Sequence, residues 1–303
     1  MKVTIPRQDD GDEKILETFK LRSGSQDQFF GNIRSSVVSR LAEEWGFDGE
    51  AGTKRIVVFL NGEYYGIFDM QRGFSSENMK KRYGIEKEKN IEKYKGSERD
   101  VFEKFGIQED IWENLDNDEN RERLEGIIDM DDYLKFYAIQ IILNNTDWPM
   151  NNYEAWRFKG VKEPNNRFND GKIRFLIYDT DLVYYTDENT EFFEGSIGDI
   201  FEFLMEGKFN GRDSSFAKVM EAEYYRQKFV DLLQGLVDGP FATENVLKVI
   251  DEEAGKIEHQ VSLFSSEEEY EEWEKWIELM KRAVIERENT IKIDVKKYFG
   301  AEL

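Results

Sequence analysis

The stretch Asn145-Thr146-Asp147-Trp148-Pro149-Met150-Asn151-Asn152 decides how this chain is read, together with Tyr178-Asp179-Thr180-Asp181 downstream. An Asp followed five positions later by Asn has the spacing of a phosphoryl-transfer catalytic loop. In such loops the Asp takes a hydroxyl proton and the Asn holds a metal ion. The apolar run Phe175-Leu176-Ile177 anchors Asp179 and Asp181 at a strand end. If both are extended they face the same side. A Mg2+ ion commonly takes one or two carboxylates and completes its octahedron with waters and phosphate oxygens, so the ligand types are present. Pro149 fixes a local φ and disfavours helix at Trp148, which can wedge the loop against the core. A rigid loop is therefore expected, as a catalytic base requires. Asn and Asp are also common in turns, where their side chains bond local backbone, so spacing alone leaves a turn-and-cap reading open.

Working outward, the loop follows a strongly apolar helix, Tyr133 to Leu143, opened by the acidic run Asp129-Met130-Asp131-Asp132, which suits a helix N-terminus. Strands are expected at about Tyr153–Lys159 and Lys172–Tyr178, with a polar turn between them. Arg55 to Leu60, then Asn61-Gly62, then Glu63 to Phe68 predicts a β-hairpin, because Asn-Gly supplies the positive φ angles of a type I′ turn. Ile15 to Arg22 alternates loosely as a strand, and Ser35 to Trp45 reads as an amphipathic helix. Ser75 or Ser76 caps a short helix to about Tyr83, and Asp118 to Ile128 reads as a polar helix. The charge-rich segment Glu86 to Asp100 is expected as a solvated loop. Beyond Phe192 the pattern is nearly all helical, at roughly 197–206, 213–236, 242–260 and 266–297. In the last, Tyr270, Trp273, Trp276, Leu279 and Met280 form a stripe expected to pack onto the body of the protein.

Composition bounds what such a site can belong to. The 303 residues suffice for one large domain or two lobes around a cleft. With 39% apolar residues and 14% aromatic ones the chain can bury a core despite its charge. A net charge of −22 repels nucleic acid and anionic membranes, so any nucleotide site has to be locally basic or bring its own cations. The absence of Cys excludes disulfides, thiolate zinc sites and Cys nucleophiles. The single His259, read as a helix-surface residue, excludes multi-His metal sites. No run of 18 apolar residues is present, so no membrane insertion is expected, and Met1 to Pro6 lacks the apolar region of a signal peptide.

The central motif, with Trp156-Arg157 after it, resembles the hallmark of the spore-coat CotH family of atypical protein kinases. Supporting segments follow in family order. Leu21-Arg22-Ser23-Gly24-Ser25-Gln26-Asp27 resembles the family's L-R-x-x-G-x-D segment, with Ile33-Arg34 after it. Val58 to Gly66 resembles its V-F-L-N-G-E-Y-x-G hairpin, and Lys172 to Phe175 with Tyr178 to Asp181 resembles its K-W-R-W…D-x-D-F segment. The resemblance runs from about residue 15 to the C-terminus. It implies an α+β, two-lobed, atypical protein-kinase-like fold. Residues 1–128 would form a small mixed N-lobe with the hairpin, possessing a shortened start, and residues 129–303 a mostly helical C-lobe with the catalytic and metal loops. It further implies ATP with Mg2+ or Mn2+ as cofactors, transfer of the γ-phosphate to Ser or Thr of a protein substrate such as a coat or surface protein, and a place in the spore coat, at the cell surface or outside the cell. Carried onto this chain, Asp147 is the catalytic-loop acid and Asn152 and Asp181 are metal ligands with Asp179 beside them. Arg22 and Arg34 are candidate phosphate-binding cations that could equally pair with acids such as Asp27.

Three departures from the family pattern stand beside these matches. No Gly/Ser-rich, Lys-containing segment precedes the first match, and Lys20 is the nearest substitute for its lysine. Gln71-Arg72 stands where the family commonly carries Glu, and Asp181 is followed by Leu182-Val183. The expectation is an intact catalytic and metal side and an incomplete nucleotide clamp. The alternative is an inactive, pseudokinase-like binding protein of the coat or surface. A two-carboxylate carbohydrate hydrolase is permitted by the supply of Asp, Glu and Trp but has no specific support.

Overall fold

A computed structural model describes residues 3–6, 13–16, 19–47, 54–162, 165–185, 198–207 and 213–303. Strands β1 (Val3–Pro6) and β2 (Glu13–Leu16) pair antiparallel. Strands β3 (Lys20–Arg22), β4 (Lys54–Leu60) and β5 (Glu63–Gln71) form a second sheet in the order β3-β5-β4. The strand expected over 15–22 thus falls into pieces belonging to two sheets, and residues 17–18 lie outside the described residues. The hairpin forms as expected: Asn61 and Gly62 take φ values of 54° and 89°, the left-handed pair that a type I′ turn needs.

The third sheet, β6 (Ile91–Gly96), β7 (Tyr153–Phe158) and β8 (Arg174–Leu176), is antiparallel in that order. It draws one strand from before residue 128 and two from after it. Strand β6 corrects the loop expected over Glu86 to Asp100. Its charges sit on an edge strand and are matched across the sheet, Arg157 Nε lying 2.6 Å from Glu92 and Lys93 Nζ 2.5 Å from Glu154. Cross-strand ion pairs let a charged segment pair where hydropathy alone suggests a solvated loop.

The first five helices are α1 (Arg34–Glu44), α2 (Ser76–Tyr83), α3 (Glu98–Phe105), α4 (Asp118–Glu125) and α5 (Met130–Leu143). Then follow α6 (Ile200–Glu206), α7 (Ser215–Glu221), α8 (Glu223–Val237), α9 (Thr243–Gly255), α10 (Glu258–Phe264) and α11 (Glu267–Phe299). The single helix expected over 213–236 is broken at Ala222, which is extended (φ −80°, ψ 125°). The buried positions explain the break. Phe216, Val219 and Met220 keep helical spacing, but the next buried ring, Tyr225, comes five residues later, so a continuous helix would turn one set to solvent. The helix expected over 242–260 divides likewise into α9 and α10.

The architecture is α+β and helix-rich, with the small sheets mostly ahead of α5 and the helices mostly after it. Helix α5 is the centre of the main core. Asp129 caps its start by accepting the Asp132 N–H at 3.3 Å, and Tyr133, Phe136, Tyr137 and Ile141 are fully buried in the core where α5 packs against β8, α6, α8 and α11. Trp276, Leu279 and Met280 of α11 are buried as expected, and Trp273 donates its ring N–H to the Gly31 carbonyl at 2.9 Å. His259 is exposed on α10. A smaller core, including Met79, Tyr83, Trp156 and Leu176, joins α2 to the third sheet.

Candidate functional site

The site begins where α5 ends. Asn144 stops the helix in the left-handed conformation (φ 47°), which Asn tolerates better than most residues. From the C-terminal helix, Arg287 donates Nε and Nη2 to the Ile141 carbonyl at 3.0 and 2.7 Å and pairs with Asp199. It thereby adds side-chain donors to a helix-end carbonyl that otherwise accepts the Asn144 N–H at 3.1 Å. Asn144 itself accepts the Ile200 N–H at 2.9 Å.

The loop that follows is fastened at each step. Asn145 is fully buried, donates to Gln140 Oε1 at 2.9 Å and accepts the Asp147 N–H at 3.4 Å. Trp148 is fully buried, stacked on Tyr153 and edge-on to Phe136 and Tyr137. Truncating so large a buried ring typically costs about 3–5 kcal/mol, so Trp148 acts as the wedge its position suggests. The Pro149 carbonyl accepts the Glu98 N–H at 3.0 Å. Beneath it the Glu98 carboxylate takes the Tyr137 O–H and the Ser215 N–H, each at 3.0 Å, and the Ser215 hydroxyl. Burial pushes the Glu98 carboxyl up, and those hydrogen bonds oppose the rise.

Asp147 is half-buried in this frame. It accepts Asn152 Nδ2 at 2.6 Å and Asn151 Nδ2 at 3.3 Å. Burial raises its pKa first; the Asn151 hydrogen bond opposes that, the negative charge of Asp179 adds to it, and the Asn152 bond opposes it again. Asn152 has a left-handed backbone (φ 53°) and turns the chain into β7. Its amide nitrogen faces Asp147, so its carbonyl oxygen points elsewhere.

The second segment runs alongside. Thr146 N–H bonds the Leu182 carbonyl at 3.4 Å and Tyr184 N–H the Leu143 carbonyl at 3.0 Å. Asp179 is left-handed (φ 56°), so strand alternation is not what gathers the two carboxylates. Arg22 gathers them: its Nη2 pairs with Asp179 and lies 3.4 Å from Asp181 Oδ2. Asp181 is 2% exposed and also accepts the Gln26 backbone N–H at 3.1 Å. Burial, then the charge of Asp179, pushes its carboxyl up to about 6, against the pull of Arg22 and of the Gln26 N–H.

Asp147, Asn152, Asp179, Asp181 and Arg22 therefore come together. Arg34 stands behind them rather than among them. It is fully buried, with Nη1 2.5 Å from Asp27, Nε donating to the Val183 carbonyl at 2.9 Å, and its guanidinium 4.3 Å from the Tyr185 ring. Of its two expected roles the geometry displays the pairing with Asp27. Lys20 is exposed on β3, opposite Gln71. Sequence reasoning missed the buried Glu98 and the Asn145–Gln140 bond. An acid directly after a Ser cap, in a helix whose buried face is aromatic, was the available sign for Glu98.

The donor set suits a hard cation. It offers two carboxylates and an amide oxygen, and among the described residues no cluster of three or more His, Cys, Asp or Glu could hold a metal alone. That fits an ion which keeps waters and phosphate oxygens in its shell better than one caged by protein. The raised pKa of Asp181 comes first from burial and then from the charge of Asp179, and Arg22 offsets these only in part.

The family model described as CotH kinase protein matches residues 6–291. The chain belongs to the CotH kinase family. Among solved structures, the Helicobacter pylori proinflammatory kinase CtkA is similar over 97% of this chain and 95% of its own, at 11% identity and a TM-score of 0.39. No curated protein matches the sequence. Membership makes the chain protein-kinase-like in function, and a kinase family implies ATP, a divalent cation and a protein substrate in general. Among the described residues, no helix of the chain is long and apolar enough to cross a membrane.

Proposed function

We propose that the chain is a metal-dependent protein kinase that moves the γ-phosphoryl group of ATP to a Ser or Thr hydroxyl of a protein. The observation carrying this reading is the convergence of the Asn145–Asn152 loop with Asp179 and Asp181, close enough for the Asp179 charge to act on Asp147. Bound ATP and Mg2+ or Mn2+ would supply the transferable group and the neutralising charge. Asp147 is the general base: two amide donors orient its carboxylate, and its raised pKa brings it nearer the operating range of a proton acceptor. Asn152 Oδ1, Asp181 and Asp179 are the metal-holding oxygens. Arg22 is the cation nearest the phosphates, Lys20 a second one, and Arg34 supports the site from behind through Asp27.

The test is a titration of ATP with Mn2+ or Mg2+ into the folded protein, followed by its melting temperature. A rise that Asp181→Ala abolishes supports the proposal; no rise at millimolar nucleotide sinks it.

One observation favours a second reading. Arg22 already engages both carboxylates that a metal would use, as in a pseudokinase-like binding protein whose site is closed by its own ion pairs. Under that reading Arg22→Gln leaves the protein indifferent to nucleotide and metal alike.

A further inference from the structure

The described surface gathers exposed aromatic rings at one place. Phe29, Phe59, Tyr64, Tyr65 and Phe264 are 69, 52, 37, 61 and 38% exposed, and they come from the segment before α1, the β4–β5 hairpin and α10. The Tyr64 and Phe264 rings stack with centroids 4.0 Å apart and planes at 7°, and Phe59 meets both edge-on. Beside them a groove of about 1070 Å³ lies between the hairpin and the start of α11. Its lining includes the buried Ile67 and Trp276 and the exposed Glu268, Glu269 and Glu272, and no Lys or Arg among the described residues. Exposed rings concentrated around a groove mark an interaction surface, since aromatic side chains anchor interfaces and are costly to leave in water.

We propose that this groove docks a basic polypeptide segment carrying aromatic or aliphatic anchors. The anchors lie against the Tyr64–Phe264 stack, and Lys or Arg side chains face Glu268 and Glu272. Charge selects this occupant. The rim carries carboxylates without cations, so a basic segment gains attraction there. A second copy of the chain, at net charge −22, would set the same acidic rim against itself in a two-fold contact. The groove also touches the site described above. Ser23 and Gln28 line it, and between them Gln26 donates to Asp181 and Asp27 holds Arg34. A segment seated in the groove therefore bears on the loop that fastens Asp181. Docking is read as binding, so its failure and the failure of the kinase proposal are separate results.

The experiment is fluorescence anisotropy of labelled synthetic peptides with the full chain. One peptide is rich in Lys and Arg with two Phe, a second has Ser in place of Phe, and a third has Glu in place of Lys and Arg. The first should bind alone, and raised salt should weaken it. Phe264→Ala, and separately Tyr64→Ala, should each weaken it about tenfold, as loss of an interface anchor does. The pair Glu268→Lys and Glu272→Lys should weaken it comparably, while the same change of charge on α4, Glu119→Lys with Glu122→Lys, should not. Equal binding of the Phe-free peptide, or indifference to all three groove variants, overturns the proposal in favour of general attraction to an acidic surface. A dimer in sedimentation that Phe264→Ala abolishes overturns it in favour of a second copy.

Discussion

Asn152 donates its side-chain amide to the Asp147 carboxylate at 2.6 Å, so the residue proposed as metal ligand also orients the residue proposed as base. Asp147→Asn should separate the two roles. Removing a positioned general base typically costs about 10²–10⁴-fold in rate. The expected outcome is that loss in phosphate transfer to a protein substrate, with the ATP-and-Mn2+-induced rise in melting temperature retained. If the variant transfers phosphate at the wild-type rate, Asp147 is not the base.

Arg22 and Asp181 are both buried, and Asp179 is partly exposed. Arg22→Gln leaves two carboxylates facing each other without their cation. Breaking a buried pair one-sidedly costs about 3–5 kcal/mol, and the exposure of Asp179 lowers the expectation to about 2–4 kcal/mol in denaturant unfolding. Added Mn2+ should recover more stability in this variant than in the wild type, because the ion replaces the lost charge. Unfolding midpoints with and without Mn2+ check this, and equal recovery in both proteins would contradict it.

Asp69 lies on β5 with its carboxylate 3.0 Å from Arg55 Nε, yet burial pushes its pKa from 3.8 to about 6, against the pull of Arg55. A carboxyl whose folded-state pKa lies above its unfolded value holds its proton more tightly when folded. Its stabilising contribution is full below about pH 3.8 and is lost as pH rises through about 6. Asp69→Asn should therefore flatten part of the dependence of stability on pH between these values. An unchanged slope in urea denaturation across that window would show that Asp69 is not shifted.

Glu98 is buried, with hydrogen bonds from Tyr137 and Ser215. Glu98→Ala strips their acceptor and should cost about 2–4 kcal/mol, the scale of leaving buried donors unsatisfied. Glu98→Gln keeps an acceptor and should cost less than half of that. The backbone N–H to Pro149 survives both changes, so phosphate transfer by the Gln variant should stay near wild type. Chemical denaturation of the two variants gives the comparison, and equal losses would deny the carboxamide its acceptor role.

Much of this was legible in the chain itself. The hairpin follows from Asn61-Gly62, helix α5 from its acidic start and apolar run, and the wedged loop after α5 from Trp148-Pro149. Strand β6 was not, because its pairing rests on charges matched across to β7, and those partners are about sixty residues away. The break at Ala222 was present as a five-residue step in the apolar spacing, but it is audible only once the face of each helix is known. The contact of Arg22 with Asp179 spans 157 residues, and no local pattern encodes such a distance. For Arg34 two partners were open, and burial decided for Asp27 over a ligand-facing place.

The hold of Arg287 on the end of α5 has a consequence for the life of the molecule before it is finished. The ribosome delivers the Asn145–Asn152 loop long before residue 287, so the nascent chain carries that loop without its last fastening. We predict that chains ending ahead of Arg287 keep α5 but leave the loop open to protease, while chains ending just past Phe299 do not. The closing of that loop then waits on the synthesis of α11, which ties the order of assembly to the order of translation.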